Sequence, residues 1–323
     1  MTYKRKILFR ADAGPEIGYG HFIRSLALAD MLKEDFDCVF YTQIPTDYQR
    51  KEASNVCPLV ELPADDSRFD IFLDTLKGDE IVVLDNYFYT TDYQRRIKER
   101  GCKLVCIDDM HDKHYVADIV INHGNASPEQ FSKEPYTRLC LGLDYALLRR
   151  PFFEATQRKH KNETNSTIKR IAICFGGSDP LHLTEKALAD LLPCQTINHI
   201  DVIVGKQISE YSHFNDSRIH FHQGISAQDV AHIFSSCDIA IVSTSSVCIE
   251  ALACGAKVAA GWYVENQREG YLDLISKGWG IGLGFLAQTD FTLALKQNEV
   301  KSSFSLSNIK ENFIQAFKSL NHV

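Results

Sequence analysis

Short apolar runs and helix-spaced apolar positions alternate along this chain. Ile7-Leu8-Phe9 predicts a short strand, and Phe22, Ile23, Leu26, Leu28, Ala29 and Leu32 recur at helical spacing. Strands are expected next at Asp37–Tyr41 and Glu80–Leu84, a helix at Thr91–Glu99, and strands at Lys103–Ile107 and Ala117–Ile121. The stretch from Ala155 to Thr167 breaks the pattern: it is rich in Lys, Asn and Thr, has no periodicity and reads as a domain boundary. The alternation then restarts, with strands expected at Ile168–Phe175, His199–Val204, Ile239–Val242 and Lys257–Ala260, and helices at Leu183–Leu192, Ala227–Ser235 and Val247–Ala253. Short apolar strands between helices imply mostly parallel sheets covered on both faces. The expected fold is therefore α/β, with two doubly wound Rossmann-like domains, 1–157 and 158–323, facing each other across a cleft. Ligands in such sheets bind at the carboxyl ends of the strands.

Composition narrows the function. The 323 residues are 45% hydrophobic and 24% charged, with a net charge of -7. An acidic chain with only short basic clusters, Arg149-Arg150 and Lys159-His160-Lys161, argues against a nucleic-acid partner. No apolar stretch approaches the ~18 residues of a membrane span, and the start of the chain is too short and too abruptly polar for a signal peptide. The ten cysteines form no CxxC pair, so reduced buried thiols and a cytoplasmic protein are expected.

Three constellations carry candidate chemistry. Gly18-Tyr19-Gly20-His21-Phe22-Ile23-Arg24 follows the first strand. Its glycines allow a tight turn, and the helix start offers free N–H groups to an anion. The third glycine of a dinucleotide fingerprint is missing and no acid ends the second strand, which argues against NAD. His21 at the helix start suits a neutral general base, or alternatively a cap or phosphate contact. Arg24, one turn on, either holds an anion or forms a surface salt bridge. Gly176-Gly177-Ser178-Asp179 after the linker has the composition of a phosphate-cradling turn. In Ser243-Thr244-Ser245-Ser246-Val247-Cys248-Ile249-Glu250, hydroxyls and free N–H groups at a helix start suit a diphosphate. Glu250 suits the ribose hydroxyls, or is an exposed helix residue.

Strand ends supply the rest. Asp85-Asn86-Tyr87, Asp108-Asp109 and Asn122-His123 should point towards the cleft. The paired aspartates raise magnesium, but no further ligand pattern supports a metal. Asp144 and Asp179 are expected to order loops, and His220 and His222 to share a solvent-facing strand surface.

GxGHxxR, GGSD and SSxxxEAL followed by Glu265-Asn266-Gln267, in this order and spacing, resemble the PseG family. These are UDP-2,4-diacetamido-2,4,6-trideoxy-β-L-altropyranose hydrolases of pseudaminic acid biosynthesis, related to the MurG-type GT-B glycosyltransferases. The resemblance runs from about Ile7 to about Lys277, and includes Asp85–Tyr87, Ile107–Asp109 and Leu141–Arg149. It implies that His21 is catalytic, that Tyr87 supports it in the sugar pocket, and that no metal or other cofactor is needed. It also implies that the C-terminal domain holds UDP through Gly176, Gly177, Ser178, Ser245, Ser246, Val247 and Glu250, with Asn266 and Gln267 beside the sugar or diphosphate. Gly18, Gly20, Arg24 and Asp85 complete the expected substrate-binding set. Family members often carry histidine where Asn86 stands here, so contacts around Tyr87 are expected to differ.

Overall fold

The computed structural model describes residues 4–14, 17–124, 126–156, 169–177, 179–205, 208–296, 306 and 308–321. It divides into two compact units, residues 1–150 with 307–323, and residues 151–306.

The first unit contains β1 (Lys6–Arg10), α1 (Gly20–Leu32), β2 (Asp37–Gln43), α2 (Asp47–Ser54), β3 (Leu59–Leu62), α3 (Ser67–Asp74), β4 (Ile81–Leu84), α4 (Thr91–Glu99) and β5 (Lys103–Ile107). Then come β6 (His114–Tyr115), β7 (Ile119–Asn122), β8 (Ser132–Lys133) and β9 (Arg138–Leu141), and the helix α5 (Arg150–Thr156) begins at the division. Seven strands form one sheet in the order β3-β2-β1-β4-β5-β7-β9, and β6 pairs with β8 separately. Every pairing in the large sheet is parallel. All residues of β4 and β7 are buried, the signature of strands covered on both faces.

The second unit runs through β10 (Lys169–Cys174), α6 (Leu183–Leu191), β11 (Ile197–Val204), β12 (Ile219–Gln223), α7 (Ala227–Ser236), β13 (Ile239–Ser243) and α8 (Ser246–Ala253). It continues with β14 (Lys257–Trp262), α9 (Arg268–Ser276), β15 (Gly280–Phe285) and α10 (Leu293–Lys296). Its six strands are also parallel, in the order β12-β11-β10-β13-β14-β15. Its core gathers Ile171, Ile173, Val202, Ile239 and Ile241 from the central strands with Leu183, Leu188 and Phe291. In each sheet the first strand of the unit lies centrally and the chain reverses direction across it, between β1 and β4 and between β10 and β13. Ligands of doubly wound sheets gather at such points.

The end of the chain corrects the expected boundary. The helix α11 (Ile309–Lys318) belongs to the first unit, not to a continuous 158–323 domain. Its buried Ile309, Phe313 and Phe317 form one apolar face. Phe317 meets Phe36 beyond α1, and Phe313 meets Tyr145 after β9, at centroid distances of 6.1 and 5.5 Å. Lys318 pairs with Asp35 and Lys310 with Glu34, at 2.6 and 2.8 Å. A linear scan for composition breaks cannot see this return of the chain. The expected boundary itself, at 157/158, lies outside the described residues. All ten cysteines are free, and no helix among the described residues is long and apolar enough to cross a membrane.

Candidate active site

In the first unit, the carboxyl ends of β1, β4, β5 and β7 stand side by side. They deliver α1, Asp85–Tyr87, Asp108-Asp109 and Asn122-His123 respectively to one edge of the sheet. Register makes this possible: Arg10 is level with Leu84, Leu84 with Cys106 and Ile107 with Ile121.

His21 is the second residue of α1 and is buried. Its Nδ1 lies 2.7 Å from Asp85 Oδ1, its nearer polar neighbour, and 3.1 Å from Arg24 Nη2. Asp85 Oδ1 also accepts from Arg24 Nη2 at 2.6 Å, and Oδ2 accepts from Arg24 Nε at 2.7 Å and Ser25 Oγ at 3.0 Å. Burial opposes the charge on Asp85, but Arg24, and then His21, outweigh it and hold the carboxyl at about 2. An ionised carboxylate only accepts hydrogen bonds, so the proton of a neutral His21 ring sits on Nδ1 and the lone pair on Nε2. The arrangement is a carboxylate holding an imidazole in the tautomer of a general base.

Arg24 continues the network, with Nη1 donating to Asp109 Oδ2 at 2.9 Å. Tyr87 Oη donates to the same Oδ2 at 3.3 Å, and the Tyr87 ring meets His21 edge to face at 4.6 Å. Tyr87 is 46% exposed on its open side. Burial of its hydroxyl, then the charge of Asp109, push the phenol up to about 12. His123, at the end of β7, accepts a hydrogen bond on Nδ1 from the Leu147 N–H at 3.3 Å.

Two expectations for this unit change. Arg24, left open as an anion contact or a surface salt bridge, forms ion pairs with Asp85 and Asp109 and is partly buried rather than on the surface. Asp85 is not a substrate contact: it is 1% exposed, its oxygens are engaged by three side chains, and it stands behind His21. Asn86 turns inward as well, accepting from the Asp12 N–H at 2.6 Å and donating to the Asp12 carbonyl at 3.1 Å, which ties the ends of β1 and β4 together. Gly18 has a φ of 82°, and its N–H donates to the Gly14 carbonyl at 2.8 Å, so that group closes a local turn. Gly20 opens α1 with free space where a Cβ would stand. Asp108 and Asp109 diverge, because Asp108 accepts from the N–H groups of Met110 and His111 while Asp109 faces Arg24. Among the described residues no group of three His, Cys, Asp or Glu is placed to hold a metal ion.

In the second unit, Gly176 follows β10 with a φ of 96°, a conformation that favours glycine. Ser178 lies outside the described residues. Asp179 is buried and caps the start of α6, accepting from the N–H groups of Leu183 at 2.8 Å and Thr184 at 3.0 Å. A Cβ on Gly205, at the end of β11, would overlap the Gly177 carbonyl. Gly205→Ala should therefore displace the Gly176-Gly177 turn and cost about 1–3 kcal/mol, as overpacking does. Thermal denaturation checks this, and an unchanged Tm would show that the turn yields freely.

Ser245 precedes α8 and makes no side-chain capping bond, and the first turn of α8 has no acid. Helix geometry leaves the N–H groups of Ser246 and Val247 without intrahelical acceptors, at the positive end of the dipole. Val247's side chain is buried, which leaves its backbone as the group able to meet a ligand. Ser243 Oγ and Ser245 Oγ lie 3.0 Å apart. Glu250 is 7% exposed rather than a solvated helix residue. Asn266 and Gln267 part company: Asn266 is exposed, while Gln267 is buried, with Oε1 accepting from the Tyr263 N–H at 3.2 Å. Of the two histidines expected to face solvent, His220 is exposed and His222 is partly buried. His222 and His199 hold the two oxygens of Asp201 at 2.8 and 2.9 Å, and His220 stacks on His199 at 4.2 Å.

No protein-family model matches the chain. An uncharacterized protein of Methanocaldococcus jannaschii is 28% identical over 287 residues, which is 84% of this chain but 58% of that protein, so this chain spans less than two thirds of that relative's length. The UDP-2,4-diacetamido-2,4,6-trideoxy-β-L-altropyranose hydrolase of Campylobacter jejuni is 24% identical over 286 residues, 85% of this chain and 98% of that enzyme. The spore coat polysaccharide biosynthesis protein SpsG of Bacillus subtilis is 25% identical over 310 residues, 92% of this chain and 89% of that protein. Among solved structures, MurG of Acinetobacter baumannii matches with a TM-score of 0.64 at 12% identity, over 98% of this chain and 99% of that one. The S. aureus MnaA–UDP co-structure matches with a TM-score of 0.66 at 10% identity, over 99% of this chain and 98% of that one. The fold is accordingly α/β with two parallel-sheet units, of the kind found in GT-B glycosyltransferases.

Proposed function

We propose that this chain hydrolyses a UDP-sugar, UDP-2,4-diacetamido-2,4,6-trideoxy-β-L-altropyranose or a close relative, to UDP and the free sugar. The observation that carries the proposal is the His21–Asp85 pair, which leaves Nε2 of a buried imidazole as a base. The similarity to the Campylobacter jejuni hydrolase over most of both chains supports the choice of substrate. The second unit holds UDP, through the turn at Gly176-Gly177 and the first turn of α8, with Glu250 at the ribose. The first unit carries the reaction. His21 Nε2 takes a proton from a water molecule, whose oxygen attacks the anomeric carbon opposite UDP. The bond from that carbon to the phosphate oxygen breaks, the electron pair leaves with UDP, and the sugar's configuration inverts. Asp85 stabilises the imidazolium formed, and N–H groups at the α8 start meet the growing negative charge. Tyr87 packs on the base and keeps its own proton.

The test is release of UDP from that UDP-sugar and from UDP-N-acetylglucosamine, with neither acceptor nor metal added. Release from the first, faster than from the second, is expected. Stable binding of both without release counts against hydrolysis. The pH dependence is also set by these groups. Asp85 stays ionised down to about 2 and Tyr87 stays protonated up to about 12. Neither titration should then appear in the activity profile between about pH 4 and 10. Asp85's depressed value means its contribution to stability is complete above about pH 4 and is lost as pH falls towards 2. Acid unfolding followed in wild type and Asp85→Asn checks this, since the difference between them should shrink only in that window.

A glycosyltransferase is the second reading, and one observation favours it. Ile17, Ile44, Tyr87, Phe88 and Met110, all in loops after strand ends of the first unit, are exposed large apolar residues. Such a rim suits an apolar acceptor, whose hydroxyl would take the place of water at His21.

A further inference from the structure

His123 follows β7, next to β5 in the sheet, and so stands at the same edge as His21, Asp85 and Asp109. Its Nδ1 accepts from the Leu147 N–H, so the proton of the neutral ring is on Nε2. Nε2 has no protein partner among the described residues, and the residue is partly exposed. Enclosure of the ring, then the charge of Arg24, push His123 down to about 4, against the opposite pull of Asp109 and Asp85. The ring is therefore neutral at ordinary working pH. The two imidazoles are complementary: His21 presents a lone pair on Nε2, and His123 presents a hydrogen on Nε2.

We propose that His123 contacts the substrate, donating Nε2–H to an uncharged acceptor oxygen of the bound sugar, a hydroxyl or an amide carbonyl. The inference rests on reading this edge of the sheet as the sugar site. A neutral donor suits an uncharged oxygen, and anchoring Nδ1 to backbone fixes both the tautomer and the ring's orientation. The network around His21 has no comparable donor to spare, because Arg24 is taken up by two carboxylates.

Calorimetry with UDP and with the UDP-altropyranose, in the His21→Ala background where turnover is suppressed, tests this. His123→Ala should weaken the UDP-sugar about tenfold and leave UDP unchanged, the loss of one neutral hydrogen bond. His123→Gln, whose amide nitrogen reaches the Nε2 position, should recover most of that affinity. Equal weakening of UDP and UDP-sugar, or no weakening, overturns the proposal. If His21→Ala alone binds the UDP-sugar no better than UDP, the reading of the sugar site fails and His123's role fails with it. Imidazole ¹⁵N spectra at about pH 6 give a readout independent of the ligand: a neutral His123 ring protonated on Nε2 is expected, and a charged or Nδ1-protonated ring contradicts the proposal.

Discussion

His21→Ala should slow UDP release, lowering kcat by about 10²–10⁴-fold, the range that a positioned general base contributes. UDP affinity should hardly change, because the residues proposed to hold UDP lie in the second unit. The fold should survive as well. Without His21, Asp85 still accepts two hydrogen bonds from Arg24 and one from Ser25, so no buried charge is stranded. Steady-state kinetics beside a UDP titration and a melting curve separate these effects. Parallel loss of activity, UDP binding and Tm would assign His21 a structural role instead.

The second large effect is expected at Asp85. Asp85→Ala leaves Arg24 with one carboxylate partner instead of two, and His21 Nδ1 facing only Arg24 Nη2 at 3.1 Å, in a buried site. Removing one member of a buried ion pair costs about 3–5 kcal/mol. Asp85→Asn separates stability from chemistry. The amide keeps the shape but can present a donor to His21, which moves the ring's proton to Nε2 and removes the base. Where a carboxylate holds a catalytic histidine, such a change lowers kcat by about 10⁴-fold. A similar loss is expected here, with a smaller fall in Tm than for Asp85→Ala. Full activity in Asp85→Asn would show that the tautomer of His21 is not set by this carboxylate.

The sequence made the central sheets legible and their edges less so. β4 and β5 stand out because nearly every residue is apolar and buried, and α4 because its apolar residues and Thr90 cap coincide. β3 and β9 lie at sheet edges or beside them, where half-exposed residues such as Val60, Glu61 and Arg138 blur the pattern. α11 has a clear apolar face, but its partner, α1, is some 280 residues earlier in the chain. The candidate site divides in the same way. The placement of His21 at the start of α1, of Tyr87 just after β4 and of Ser245 just before α8 follows from local residue types next to a helix or strand end. The pairing of His21 with Asp85 was not, because it follows from β1 lying beside β4 in the sheet. For the same reason Arg24 reads locally as an anion contact, although two carboxylates from β4 and β5 take up its charge.

The most direct test of the account is a proton NMR time course of the protein with UDP-2,4-diacetamido-2,4,6-trideoxy-β-L-altropyranose in buffered water, with no acceptor and no metal. The account predicts that UDP and free sugar appear together, that the first anomer formed is inverted relative to the UDP-sugar, and that His21→Ala forms neither. Retention of anomeric configuration, or a UDP-sugar that stays intact until an acceptor alcohol is supplied, would contradict it.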